Sequence, residues 1–342
     1  MKDIKFSIII PVYNRPDEIK ELFDSLEKQT FKDFEVVVVE DGSKIKSEEI
    51  IKKYKNLNVK YFFKENEGPS IARNFAMKNA TGNYFLFFDS DCILQKDTLF
   101  TINKELKRDF VDCFGGADKS HKSFNFLQKA ISYSMTSIFT TGGIRGNKKH
   151  ISKFYPRSFN MGISKKVFEK IGGFPVTRMH PGEDMVFSIE IIKQGFKTKL
   201  LDNVTVYHKR RTSLEQFQKQ VFKFGKTRYV ISLIYPETFK IFYVFPTLFV
   251  VFFLFAIKYM SFSIYPILTP FFAYTLSIYN LLIFIDSTIK NKNPIVGLIS
   301  VWSSYIQLIS YGLGFFISYF KYSILRMDEY KVFSEPFYKK KK

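Results

Sequence analysis

Short β-branched and aromatic runs alternate with amphipathic segments through the first third of the chain, whereas the last third is almost continuously apolar. "KFSIIIPVYN" and "DFEVVVVEDGS" end in turn residues, as buried parallel strands do. Between them, "RPDEIKELFDSLEKQ" places Ile19, Leu22, Phe23 and Leu26 at helical spacing, with acidic residues in the first turn. "VKYFFKEN" reads as a third strand, "GPSIARNFAMKNATG" as a helix closed by Gly82, and "NYFLFFDSD" as a fourth strand. This β-α-β-α-β-α-β order predicts an α/β domain on a doubly wound, mostly parallel sheet. Ligands of such sheets lie beyond the carboxyl ends of the strands. Tyr13, Asp41 and Asp89 all fall at those ends.

From about 110 to 212 the pattern is less regular and rich in Gly-Gly turns. "SKKVFEKIGGF" and "GEDMVFSIEIIKQGF" read as helices ended by glycine, and "KTKLLDNVTVYH" as a late strand or two. In "SLEQFQKQVFKFGKTR", Leu214, Phe217, Val221 and Phe224 form one apolar face and Lys or Gln the other. A basic amphipathic helix just before apolar spans is expected to lie in the membrane surface, the alternative being a helix packed on the protein core. Three apolar stretches follow, at about 239–257, 262–285 and 295–320, each near the ~20 residues that a bilayer-spanning helix needs. The expected division is therefore a catalytic domain at 1–212, an interfacial helix and linker at 213–238, and membrane helices with a basic tail at 239–342. Seven Lys or Arg follow residue 320, which by the positive-inside rule puts the tail with the catalytic domain on the cytoplasmic side. Three full spans would put it outside, and the sequence leaves the choice open.

Composition narrows the partners. The 342 residues carry a formal charge of +20, which points to anionic partners such as lipid head groups or phosphorylated substrates. Nucleic acid is not among the expected partners, since no zinc pattern, RNP motif or basic helix supports it. Cys92 and Cys113 form no framework and read as reduced thiols in a cytosolic setting. The first apolar run is too short for a signal peptide and reads as a first strand. The expected location is the inner cell membrane, multi-pass, with the catalytic domain cytoplasmic; an oligomer is compatible with this.

"FFDSD" sets Asp89 and Asp91 two apart at a strand end, an arrangement suited to a hard divalent cation and, through it, a pyrophosphate. Together with "PVYNRPDEI", "VVEDGS", "NEGPSIARN" and "GEDMVF", in this order and spacing, it resembles the family 2 inverting glycosyltransferases of the GT-A fold. The resemblance covers roughly residues 6–212. It implies that Pro11, Tyr13 and Arg15 border the nucleotide and that Asp41 accepts a hydrogen bond from the base. Most relatives carry Asp-Asp-Gly-Ser where this chain has Glu40-Asp41-Gly42-Ser43, so the match rests on the second acid. Arg73 would reach the base or phosphates, with Asn66 and Gly68 shaping the loop. Asp89 would take the ribose, Asp91 would hold Mn²⁺ or Mg²⁺, and His208 stands where many relatives place a third metal ligand.

The acidic pair Glu183-Asp184 matches the family motif in which the Asp is the general base, and it opens a helix whose dipole favours negative charge. Lys209, Arg210 and Arg211 could neutralise the diphosphate leaving group. Asn160 and Met161 match the acceptor side and are expected to line a sugar pocket. "GGIRGNKKH" is a candidate flap. The processive synthases of this fold carry a Gln-x-x-Arg-Trp signature; the single Trp here is Trp302, inside an apolar stretch, which argues against polymerisation. The expected function is transfer from a nucleotide-diphosphate sugar, a UDP-sugar favoured over a GDP-sugar, to a hydroxyl of a lipid or lipid-linked acceptor. Two alternatives stand: a polyprenyl-phosphate acceptor, or a non-catalytic nucleotide-sugar-binding scaffold, against which the intact Asp41, Asp89, Asp91 and Asp184 argue.

Overall fold

The computed structural model describes residues 3–119, 121, 123–142, 154–176, 181–262 and 267–328. Most of the candidate flap and the end of the basic tail lie outside the described residues. In order the chain forms β1 (Phe6–Val12), α1 (Pro16–Glu27), β2 (Phe34–Asp41), α2 (Glu48–Ile51), β3 (Asn58–Lys64), α3 (Pro69–Asn79), β4 (Tyr84–Phe87) and β5 (Cys92–Leu94). Next come α4 (Thr98–Arg108), β6 (Cys113–Lys119), α5 (Phe126–Thr136), α6 (Ile138–Thr141), β7 (Met161–Ser164), α7 (Lys165–Ile171), α8 (Glu183–Lys193) and β8 (Thr198–His208). Four long helices follow: α9 (Leu214–Ile234), α10 (Phe245–Phe262), α11 (Leu268–Asn291) and α12 (Pro294–Tyr319).

Among the described residues eight strands make one sheet in the order β3-β2-β1-β4-β7-β6-β8-β5. The four strands foreseen from the early alternation pair in parallel, with β1 between β2 and β4. β7 then enters antiparallel to both β4 and β6, and β5 pairs antiparallel with β8, so the sheet is mixed and mostly parallel. β6 escaped the hydrophobic pattern because "CFGGADK" has too few apolar residues to read as a strand. The central strands are covered on both faces: Ile8, Ile10, Val36 and Val38 pack with Leu22, Phe23 and Leu26 of α1, while Ile9, Val37 and Val39 pack with Ala72 and Ala76 of α3.

A buried carboxylate ties this sheet together. Glu35 of β2, 5% exposed, accepts hydrogen bonds from Ser7 Oγ of β1 (2.5 Å) and from the Thr81 amide (2.6 Å), and Lys60 Nζ of β3 lies 2.9 Å from its second oxygen. Burial alone would raise its pKa, but the hydrogen bonds from Ser7, Lys60 and Thr81 outweigh that and hold it at about 2.

The three apolar stretches are helices long and apolar enough to cross a membrane, at Ile241–Ser261, Leu268–Asn291 and Pro294–Ile324. They start and end a few residues from the bounds the hydropathy suggested. α9 differs from its expected setting. Phe217 and Val221, on its apolar face, are fully buried against Ile131 and Met135 of α5, with Ile306 and Tyr311 of α12 beside them. A Cβ on Gly225 would stand 2.2 Å from the Tyr311 carbonyl oxygen, and one on Gly314 2.2 Å from that of Phe222, so the two helices cross at near backbone contact. That face is therefore covered by protein rather than laid in lipid. Hydropathy reports that a face is apolar, not what covers it.

Because the Glu35 pKa is depressed in the fold, its stabilisation is complete above its unfolded value of 4.5 and lost as pH falls towards 2. Glu35→Gln should lower the unfolding free energy of the full chain in detergent by about 2 kcal/mol at pH 7, after allowance for screening. The difference should shrink between pH 4.5 and 2. Guanidinium unfolding at several pH values reads both, and a pH-independent difference would contradict this account.

Candidate active site

A cleft opens at the carboxyl ends of β1 and β4 and encloses about 1580 Å³. Arg15, Arg73, Asp89, Asp91, Asp184, His208, Arg210 and Arg211 all face it, so one cavity collects motif residues spread over nearly two hundred positions. A separate, smaller depression near Glu21, Lys28 and Lys96 contains none of them.

At the base of the cleft lies Arg73, 3% exposed. Its Nη2 donates to Asp89 Oδ1 at 2.7 Å and its Nη1 to Glu183 Oε1 at 3.5 Å, while the guanidinium lies over the Phe174 ring at 5.1 Å. Burial works against its charge, but Asp89 and Glu183 more than offset that and raise its pKa above the ordinary value. Arg73 thus braces the acids instead of extending towards a base or phosphate as expected. The motif fixed the residue, but burial fixed its partners.

Asp91 and His208 are brought together by register: Cys92 of β5 pairs with His208 of β8. Asp91 Oδ1 lies 3.1 Å from His208 Nε2, and Arg15 Nη1 lies 3.5 Å from Asp91 Oδ2. Burial disfavours both charged forms, yet the pair prevails, holding Asp91 at about 2 and raising His208. The imidazole stacks on Phe159 at 4.7 Å. Asp91 Oδ1 and His208 Nδ1 are buried without an aligned hydrogen-bond partner, and the ligand atoms of Asp91, Cys92 and His208 lie within 4.8 Å of one another. Cys92 is a poor third donor, because burial pushes its thiol well above the ordinary range and its Sγ donates to the Phe159 carbonyl at 3.4 Å. An oxygen-nitrogen pair with orphaned buried atoms fits a divalent cation, which prefers oxygen ligands and accepts imidazole.

Asp184, at the start of α8, accepts from the Met185 amide at 2.7 Å, and Arg157 Nη1 approaches its Oδ1 at 3.5 Å. Glu183 is buried behind it, held by Arg73 and by the Gly182 amide at 2.9 Å. Both line the cleft, but Glu183 is the more deeply buried and is engaged by Arg73, while Asp184 is the more open of the two.

Other expectations are corrected. Asn160 and Met161 are both 0% exposed. The Asn160 amide donates to the carbonyls of Ala117 (3.1 Å) and Val204 (3.2 Å), and Met161 belongs to the core, so neither lines an acceptor pocket; Ser158 and Phe159 face the cleft instead. Asp41 is likewise occupied: it accepts from Lys64 Nζ (2.8 Å) and from the amides of Glu67 (3.1 Å) and Gly68 (2.8 Å), so it holds the loop that a base would border. Gly42 is required beside it, with φ +72° and the Asn66 amide nitrogen 2.6 Å from where a Cβ would stand. Glu40, fully buried, braces the adjoining loop through Ser43, the Ser47 amide and Tyr61. Arg210 forms an ion pair with Asp118 at the cleft wall, and Lys209 pairs with Glu21 at 2.6 Å, leaving Arg211 as the member of the basic trio with no such partner among the described residues. Tyr13 is half exposed, and Pro11 sits in β1 opposite Val39. Arg157 and Asp118 were missed, for they lie in irregular or Gly-rich sequence with no motif to mark them.

With this geometry in hand, comparison identifies the domain. Residues 7–172 match the glycosyl transferase family 2 model, so the chain carries a domain of that family. An uncharacterized glycosyltransferase of Rickettsia conorii is 46% identical over 102 residues, 29% of this chain and 17% of that protein. Poly(ribitol-phosphate) beta-N-acetylglucosaminyltransferase TarS of Staphylococcus aureus is also 46% identical, over 101 residues, 28% of this chain and 18% of that one. The matched segments thus span less than a fifth of the length of these relatives. Mannosyltransferase PcManGT from Pyrobaculum calidifontis, solved with GDP-Man and Mn²⁺, superposes with a TM-score of 0.56 at 18% identity, over 92% of this chain and 88% of that one. That likeness bears on the fold, which is GT-A-like.

Arg73→Ala would leave Asp89 and Glu183 without their shared cation, and breaking a buried pair typically costs ~3–5 kcal/mol. We expect a loss near the lower end, about 3 kcal/mol, because Asp89 is partly exposed. Thermal or chemical unfolding of the full chain checks this, and wild-type stability would refute the bracing role.

Proposed function

We propose that the protein is a membrane-anchored, inverting glycosyltransferase that moves a sugar from a nucleotide-diphosphate sugar to a hydroxyl of a lipid or lipid-linked acceptor. One observation carries this reading. The cavity that holds Asp89, Asp91 and Asp184 continues without interruption to Phe245, Phe249 and Phe252 of α10, Leu276 of α11 and Leu308 of α12, all within candidate membrane spans. A small hydrophilic acceptor has no use for such a wall; an amphiphile does.

The donor would lie across the ends of β1, β2 and β4. Asp41 fixes the 65–68 loop, whose backbone and Tyr13 would border the base, and Asp89 would accept from the ribose. UDP-sugar remains the favoured donor; the GDP-Man in PcManGT supports the guanine alternative. Asp91 and His208 would hold Mn²⁺ or Mg²⁺, and the Mn²⁺ in the same neighbour supports a divalent ion. The bound cation supplies positive charge against the diphosphate as it leaves. Arg15 and Arg211 stand beside Asp91 and add to that field.

Asp184 would act as general base. The acceptor oxygen bonds to the anomeric carbon as the bond to the nucleoside diphosphate breaks, and the hydroxyl proton passes to Asp184. The Met185 amide and Arg157 fix one of its oxygens, so the carboxylate stays in place through the transfer. Attack from the face opposite the leaving group inverts the configuration.

Detergent-solubilised protein with a membrane lipid extract should release nucleoside diphosphate from one member of a nucleotide-sugar panel and label the lipid. Asp184→Asn should cut turnover at least ~100-fold with donor affinity nearly unchanged, as loss of a general base does. Near-normal turnover in that variant would favour a phosphate nucleophile, which needs no base. Asp91→Ala should abolish metal-dependent turnover and Mn²⁺ binding by calorimetry, and His208→Ala should weaken Mn²⁺ binding less; full turnover in excess EDTA would refute the metal assignment.

A further inference from the structure

One face of α9 lines the cavity along its length. Gln216, Lys219, Lys223 and Thr227 recur at intervals of three or four residues on that face, with Phe217 and Val221 buried to one side of it; Arg228, seven residues after Val221, reaches the cavity beyond that buried stretch. The same cavity is lined by Phe224 and Ile231 of α9 and by Phe245, Phe249 and Phe252 of α10, so a cationic wall and an apolar wall are continuous in it.

The two walls meet at Arg228 and Lys240. Arg228 Nη1 lies 2.6 Å from Met185 Sδ, the side chain next to Asp184, and its guanidinium covers the Tyr243 ring at 4.7 Å. Lys240 lies over Phe242 at 5.7 Å and immediately precedes the candidate span Ile241–Ser261. Neither side chain pairs with a carboxylate among the described residues; the nearby Glu237 is bound to Lys193 at 3.0 Å. Burial first, and Arg228 second, hold the Lys240 pKa below its ordinary value. Two half-buried, mutually repelling cations facing a cavity are unfavourable unless an anion joins them.

We propose that Arg228 and Lys240 bind the phosphate or diphosphate of a lipid-linked acceptor, whose chain lies along α10 and whose sugar-accepting end reaches Asp184. The site lies at the start of the first span, where a lipid phosphate would sit at the membrane interface. Lys223, further along α9, would draw the anion in, while Lys219 is paired with Glu215. This rests on the amphiphilic-acceptor reading above and names the group by which the acceptor is held.

The test is equilibrium binding of radiolabelled farnesyl phosphate to the full chain in neutral detergent, with farnesol, inorganic phosphate and phosphatidylglycerol vesicles as competitors. Farnesyl phosphate should bind, and each competitor should be at least ~10-fold weaker. Arg228→Gln with Lys240→Gln should weaken farnesyl phosphate at least ~30-fold, the effect of about 2 kcal/mol expected for a lost buried charge contact. Arg228→Lys with Lys240→Arg should restore most of it. If the double Gln variant fails to fold, as its unfolding profile would reveal, Lys240→Gln alone should still weaken binding. Equal binding of farnesol, displacement by inorganic phosphate or by phosphatidylglycerol at matching concentration, or no effect of the charge-removing variants would each overturn the proposal. Absence of sugar transfer from every donor would instead refute the enzymatic reading and leave this binding result standing.

Discussion

A guanidinium withdrawn from water cannot stay unpaired, and Arg73 meets that demand with two carboxylates brought from far apart in the chain. Asp89 follows β4 and Glu183 opens α8, so one ion triad fixes a strand end against a helix start. The consequences run to their neighbours. With Asp89 held, the turn to Cys92 closes through its amide on the Asp89 carbonyl at 3.0 Å, and β5 then sets Asp91 beside His208. With Glu183 held, its neighbour Asp184 is the more exposed of the pair in the cleft. Asp91 and Asp184 are thus placed by the ion triad of Arg73 with Asp89 and Glu183.

This division was only half visible in the sequence. β1, β2 and β4 were legible because both faces of these central strands are buried, which leaves unbroken apolar runs. β6 and β7 were not, since Gly115, Gly116 and Gly162 occupy strand positions against bulky neighbours such as Phe154, Asn160 and Phe114, leaving little hydrophobic pattern. Motif spacing found Asp89, Asp91, Asp184 and His208 but could not separate residues facing the cleft from those beneath it. Asn160 shows why: its amide fills the space beside Gly116 and satisfies two carbonyls, a role set by packing partners distant in sequence.

The apolar C-terminal helices are joined to the catalytic domain by polar as well as apolar contacts. Tyr133 of α5 donates to Asp286 of α11 at 2.7 Å, and Ser303 of α12 donates to the Ala130 carbonyl at 3.1 Å. Together with the close crossing of α9 and α12, these contacts place the domain at a defined position on the helices. The boundary near residue 238 is thus one of composition more than of packing: separating the chain there would strip Phe217, Val221 and Tyr229 of their cover from α12.

Joining the two parts also orders the cavity. Asp89 and Asp91 stand at the strand ends, the aromatic wall of α10 at the other extreme, and Asp184 between them beside Arg157, with Arg228 against Met185. A base is useful only where the attacking oxygen and the anomeric carbon meet, and in the proposed reaction that point would lie at Asp184, between a donor at the strand ends and an acceptor at the helices. The distribution of charge follows the same order. The carboxylates of Asp89 and Asp91 cluster at the strand ends with Arg15 and Arg211 beside them, and Arg228 and Lys240 stand at the helices with no carboxylate partner among the described residues. A lipid phosphate placed at the strand ends would meet the carboxylates of Asp89 and Asp91, so in the proposed reaction charge favours holding the acceptor's phosphate at the helices.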